Sequence, residues 1–119
     1  MRMTMHYGIL AAGSLSLSAC NSTKEENAIW EARDAVGKQM RDESSAQFRN
    51  IEVHRIQNGR LVVCGSVNGK NAFGAMTGYA RFVHVTGGAT IMEDTAPAEL
   101  MDTLWNTDCS GPVLERRSS

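Results

Sequence analysis

Two hydrophobic periods alternate along the chain, and the switches between them mark its elements. Ile29, Ala32, Val36 and Met40 recur at spacings of three and four, which is one face of a helix. The expected helix runs from about Lys24 to Arg41. A capping box marks its start, either Ser22 with Glu25 or Thr23 with Glu26, each side chain satisfying a free backbone N–H of the first turn. Gly37 weakens this helix by up to ~1 kcal/mol relative to alanine. Trp30 lies beside the stripe and reads as an extension of the core, a partner-binding role being the alternative. Asp42 to Ser45 is polar and ends the helix. Beyond it the period falls to two. Ile51 and Val53 alternate with Glu52 and His54, a strand from about Phe48 to Ile56. Asn58-Gly59 then gives the strongest short hairpin signal, because both central positions of such a turn call for positive φ.

Leu61, Val63 and Val67 share one face of the next strand, with Gly65 between them where a side chain would not fit. Val62 and Cys64 face the other way. Asn68 to Asn71 reads as a second turn, and Gly74 and Gly78 bracket an irregular piece. Tyr79 to Thr86 reads as a strand in which Phe82 is out of phase with Val83 and Val85. Either both faces are covered or a bulge shifts the register. Gly87-Gly88 is a third turn, and Ala89 to Glu93 a short last strand. Pro97 suits the first turn of a helix, with Glu99 and Asp102 placed for its dipole. Leu100, Met101, Leu104 and Trp105 form the apolar stripe of that helix, expected from Pro97 to Thr107. The expected fold class is α+β: an N-terminal helix, a three- to four-stranded antiparallel meander and a C-terminal helix, both helices on one face. Residues 24–112 make one domain, and 113–119 a polar tail.

The 119 residues suffice for one domain. Twelve basic residues face 13 acidic ones, for a net charge of −1. That balance gives no electrostatic case for nucleic acid, which calls for a basic face. Before the first helix, Arg2 precedes an apolar-to-small run from Tyr7 to Leu17. The run falls short of the roughly 20 apolar residues that a membrane-spanning helix needs. A charged start, a short apolar centre and a small-residue finish is the layout of a signal peptide, residues 1–19.

The finish is more specific. Leu17-Ser18-Ala19-Cys20 resembles the lipobox of bacterial lipoproteins. The resemblance implies a diacylglyceryl group on the Cys20 sulfur, cleavage before Cys20 and often acylation of its new amino group. Two or more acyl chains give stable membrane anchoring where one is marginal. An ordinary secretory signal or a buried apolar N-terminus is the alternative. Asn21 stands where Asp would favour inner-membrane retention in enterobacterial lipoproteins. By that resemblance the anchor belongs in the outer membrane, facing the periplasm. Residues 20–23 leave little tether, so the domain is expected close to the membrane.

Cys64 and Cys109 remain as a pair. In an oxidising compartment they are expected to form a disulfide, the alternative being two buried thiols. Such a bridge spans 45 positions and contributes about 4 kcal/mol through loop entropy.

The central block also resembles a family of small exported proteins of proteobacteria and their phages. The matching positions are Val63-Cys64-Gly65, Val67-Asn68, Lys70-Asn71, Phe73-Gly74, Gly78-Tyr79 and Phe82. Upstream, Asp42-Glu43-Ser44-Ser45-Ala46-Gln47-Phe48 is similar to the family's segment but carries Glu43 in place of proline, which is expected to let the first helix run slightly longer. The resemblance implies export and carries no mechanism.

No catalytic pattern fits. Gly65 to Lys70 has three residues between its glycines where a phosphate loop has four, and Asn71 stands where Ser or Thr would bind magnesium. Ser66 comes one residue too early for a nucleophile elbow. His54 and His84 lie on neighbouring strands without a carboxylate placed by spacing, and read as surface or half-buried. With Cys64 and Cys109 they make no zinc spacing, so no metal or other cofactor is expected. What remains is a glycine-rich surface with Lys70, Asn71, Phe73, Tyr79 and Arg81, donors and rings that suit a protein or glycan contact. The plainer reading is that the glycines serve turns and the rings fill the core. The expected function is that of a non-enzymatic envelope lipoprotein holding a protein partner at the membrane. An inhibitor or binder of a cell-wall hydrolase or of peptidoglycan is the alternative, and a histidine-dependent hydrolase stands third.

Overall fold

A computed structural model describes residues 22–119. The expected signal peptide, residues 1–19, and the expected lipid-attachment residue Cys20 lie outside them. Among the described residues the fold is α+β: two α-helices and one five-stranded antiparallel sheet. Helix α1 spans Lys24–Lys38. Of the two candidate caps, Thr23 takes the role, its Oγ1 accepting from Glu26 N at 3.0 Å. The chain does not run on past Lys38 as a longer helix. Glu43–Ser45 instead forms one 3-10 turn before the first strand.

Strands β1 (Gln47–Arg55), β2 (Leu61–Asn68), β3 (Ala80–Val85) and β4 (Thr90–Met92) are neighbours in sequence order. The β1–β2 turn departs from the expected two-residue form. Gly59 N donates to Ile56 O, Ile56 N donates to Arg60 O, and only Gly59 has positive φ, at 87°. This is a three-residue loop ending in a left-handed glycine, so Asn58 keeps an ordinary backbone and caps Arg60 N with its side chain. Helix α2 spans Ala98–Asp108. A fifth strand, β5 (Glu115–Arg117), then returns to pair antiparallel with the free edge of β1, giving the order β4-β3-β2-β1-β5. The expected polar tail, residues 113–119, thus contains a strand. They carry no apolar alternation, because β5 is an edge strand held by its backbone and by Arg116, whose guanidinium sits 3.1 Å from Glu52.

The helices lie on opposite faces of the sheet, not on one. Ala28, Ile29, Ala32 and Val36 of α1 pack on Ile51, Val53, Val63, Val67, Phe82 and Met92. Met101, Leu104 and Trp105 of α2 pack on Val62, Cys64, Val83 and Val85. This explains the phase conflict in β3, since both of its faces are covered. The bulge sits elsewhere, in β1. Its register to β2 jumps between Arg49 and Glu52, and Asn50 takes φ 54°. Asparagine tolerates that left-handed conformation. The extra residue lets Phe48 and Ile51 face the same core despite their odd spacing. Trp30 does not extend the core: it is 65% exposed, with the Arg33 guanidinium 5.6 Å from its ring. Leu100, read as part of the α2 stripe, is also exposed.

Cys64 and Cys109 form a disulfide, with Cα atoms 6.1 Å apart. It ties the residue that caps the C-terminus of α2 to the central strand. Gly65, opposite Phe82 in the ladder, is where the ring crosses β2. A Cβ there would lie 2.9 Å from the Phe82 ring and 3.3 Å from Ile51 Cα. Phe48 meets the same ring edge-on at 5.8 Å between centroids.

Candidate functional site

The glycine-rich stretch after β2 leaves the sheet as a finger. Its two arms are pinned together by an antiparallel bridge between Lys70 and Met76. Asn71 N donates to Ala75 O, Gly74 N to Asn71 O, and Thr77 N to Gly69 O. Two asparagine side chains brace it further. Asn71 Oδ1 accepts from Phe73 N at 2.9 Å and from Ala75 N at 3.1 Å, closing the tip. Asn68 Oδ1 accepts from Gly78 N at 2.8 Å, closing the base. Lys70 N donates to Ser45 Oγ, which fixes the finger to the 3-10 turn.

The five residues singled out from sequence therefore divide. Phe73 stands at the tip, 93% exposed. Tyr79, at the base, is partly exposed and carries Arg49 on its ring, 3.7 Å from guanidinium to centroid. The side chain of Lys70 is solvent-facing. Asn71 spends its carbonyl on the finger itself. Arg81 is taken up inside the domain: its Nε and backbone N–H donate to Glu93, it pairs with Asp102 of α2 at 2.9 Å, and it lies over the Trp105 ring. The plainer expectation, that the rings of this set fill the core, fails for Phe73 and for Tyr79, both of which are exposed.

The expectation of surface or half-buried histidines fails, and the sequence did not show the hydrogen-bonding partners of either ring. His54 and His84 are buried, at 1% and 3% exposure, and lie on opposite faces of the sheet. His54 Nδ1 is 3.1 Å from Pro112 O and Nε2 is 3.0 Å from Glu52, which ties β1 to the segment leading into β5. His84 Nε2 is 2.6 Å from Glu31 of α1, and Nδ1 is 2.7 Å from Thr90 of β4. The acid–histidine–threonine chain has the composition of a catalytic relay. Both ring nitrogens of each histidine are engaged inside the domain, however, and both rings are buried, so each ring crosslinks elements of the fold. Glu31 comes from α1, which no spacing in the sequence announces, whereas Glu52 stands two residues before His54 on the same face of β1, so the expectation that no carboxylate is placed by spacing fails for His54.

Electrostatics follow the same contacts. The backbone N–H of Gly87 and then His84 hold the Glu31 carboxyl below the usual carboxylate range. The backbone N–H of Arg81 and then its guanidinium do so for Glu93. A depressed folded-state pKa means that the unfolded chain binds more protons in acid, so these groups stabilise the fold above the ordinary glutamate value and lose that effect as pH falls below it. In acid titration of stability followed by circular dichroism, Glu31→Gln is expected to be less stable than the parent at pH 7. The gap should close as the pH is taken below about 4. A gap that stays constant with pH would show that Glu31 acts without its charge.

A cleft of about 210 Å³ lies beneath the finger, lined in part by Met40, Arg41, Val67, Lys70, Thr77 and Asp94. It is smaller than the roughly 300–1,000 Å³ typical of sites for drug-sized ligands. Among the described residues no group of three or more His, Cys, Asp or Glu could hold a metal ion. No described helix is long and apolar enough to cross a membrane. No protein-family model, curated protein or solved structure matches the chain.

Proposed function

We propose that the protein is a lipid-anchored, non-enzymatic component of the bacterial cell envelope, attached through Cys20 in the outer membrane and binding a protein partner through the finger. The observation that carries this reading is Phe73, an aromatic ring held 93% exposed at the tip of a hydrogen-bonded loop. A single exposed apolar residue is ordinary. Here Met76 and Tyr79 extend the apolar surface along the same finger, at 41% and 37% exposure. Aromatic anchors with pre-ordered backbones are the residues that dominate protein interfaces, because they bring area at little entropic cost. Lys70 adds a charge at the rim.

Bracing of the finger also favours the alternative reading, an inhibitor or binder of a cell-wall hydrolase or of peptidoglycan. A rigid exposed loop loses little freedom on insertion. Intact mass of the membrane-bound protein tests the anchor: it should match residue 20 onward plus acyl groups. The finger is tested by capture from envelope extract. Phe73→Ala is expected to leave thermal stability within about 0.5 kcal/mol of the parent, as exposed positions do. It should weaken the specific partner at least tenfold, the loss typical of an interface anchor, about 1.4 kcal/mol or more. An unchanged partner set in the Phe73→Ala and Lys70→Glu variants would remove the finger from the function. Sedimentation with purified peptidoglycan and assay of wall hydrolysis separate the two readings.

A further inference from the structure

We infer that the finger stands at the end of the domain opposite its lipid-bearing terminus and is directed at a protein beyond the membrane surface, not at the bilayer. The inference rests on the envelope reading above. Its geometry comes from the direction of three elements. Helix α1 starts at Lys24, and the residues of its first turns share a cleft with Arg60, Leu61 and Thr86. The start of α1 thus sits at the end of the sheet that holds the β1–β2 and β3–β4 turns. The residues just past the far end of α1, Gln39 to Arg41, share the other cleft with Gly69, Lys70 and Thr77 of the finger. Helix α1 and strand β2 therefore run the same way, from the turn end to the finger end.

The lengths make this separation matter. The 15 residues of α1 rise about 22 Å, and the eight of β2 about 26 Å. Cys20 is three residues before the cap Thr23, a reach of at most about 11 Å. An acylated Cys20 therefore holds the turn end at the bilayer, and the finger begins a full strand length away. Lys24, Arg55 and Arg60 are all exposed at or beside the turn end, where phospholipid headgroups would meet them.

The finger end has its own chemistry. Arg41, Arg49 and Lys70 surround its base, and among the described residues none has a carboxylate within 4.0 Å. Asp94 is the one carboxylate lining the cleft that Arg41 and Lys70 share. The fitting occupant is a protein presenting a ring-sized apolar hollow with an acidic rim. A bilayer would also accept a ring among cations, but the anchor keeps it at the other end.

The test places an environment-sensitive fluorophore on a single added cysteine, either Gln57→Cys at the turn end or Phe73→Cys at the tip. Both positions are exposed and outside the core. The acylated protein is reconstituted into vesicles whose phospholipids carry a headgroup spin label. Expected is loss of fluorescence at position 57 and none at position 73. Quenching at 73 would overturn the inference. That is the result for a domain lying flat on α1 with Trp30 in the interface, or for a finger inserted in lipid. Absence of quenching at both positions would overturn it too, because the turn end would not then face the bilayer. Intact mass of the same preparation separates the two levels. An unacylated protein would sink the envelope reading together with the inference, whereas an acylated one quenched at 73 would sink the inference alone.

Discussion

Replacing Cys109 with serine is expected to lower the melting temperature by roughly 15–30 °C, the equivalent of about 4 kcal/mol for a domain of this size. The bridge joins positions 45 residues apart. Its loss returns to the unfolded chain the freedom of that whole loop. The folded state has few means to compensate. Helix α2 presents one fully buried side chain, Met101, with Leu104 and Trp105 only partly covered. Without the covalent tie, α2 is held on its face of the sheet by these contacts and by the Asp102–Arg81 pair. That pair is exposed on the Asp102 side and so contributes little. Scanning calorimetry of the parent with and without reductant checks the reasoning internally. The reduced parent should melt with the serine variant, and Cys64→Ser should behave alike. A reduced protein that melts with the oxidised one would mean that α2 is secured by packing alone.

The second large effect is expected at the crossing of Phe82 over Gly65. Phe82 is wholly buried and touches both flanking strands' cores. Phe82→Ala should cost about 3–5 kcal/mol, the usual range for emptying so large a core site. Gly65→Ala should cost about 1–3 kcal/mol for the opposite reason, since the new methyl would press on the ring and on the Ile51 backbone. These two effects share one volume. In a double-mutant cycle by urea unfolding, the Gly65→Ala, Phe82→Leu pair should be more stable than the sum of the single losses predicts. Strict additivity would mean that the backbone contact with Ile51, which a smaller residue 82 cannot relieve, sets the cost.

Much of this architecture was legible in the residues. The stripe of Ile29, Ala32 and Val36, the alternation through Leu61 and Val63, and the glycine at 65 all follow from side-chain periods of 3.6 and 2 and from close approach. What escaped the sequence has physical causes. Strand β5 is read from backbone pairing, which Glu-Arg-Arg does not advertise. The bulge at Asn50 breaks the alternation between Phe48 and Ile51, so the register change is invisible to a period-two count. The opposite placement of the helices depends on Val62, Cys64, Val83 and Val85 forming a second apolar face, which a meander with one wet side would lack. Of the candidate site, the finger was marked by its glycines and asparagines. The split between an exposed Phe73 and a buried Phe82 was not, because identical rings nine positions apart differ only in whether the chain has left the sheet.

The placing of β5 has a consequence for the order in which the molecule can assemble. β1 meets β2 within a tight turn, but its outer edge, from Ile51 to Val53, waits for Glu115–Arg117. A chain that emerges N-terminus first, whether from a ribosome or from a translocation pore, thus carries an open strand edge until α2 and the residues after it have followed. Pairings of such sequence separation are slow to close. The same delay keeps the polypeptide threadable. If the chain is exported, as proposed above, the structure completes itself only after nearly the whole domain has crossed, and the bond between Cys64 and Cys109 then makes that step hard to reverse.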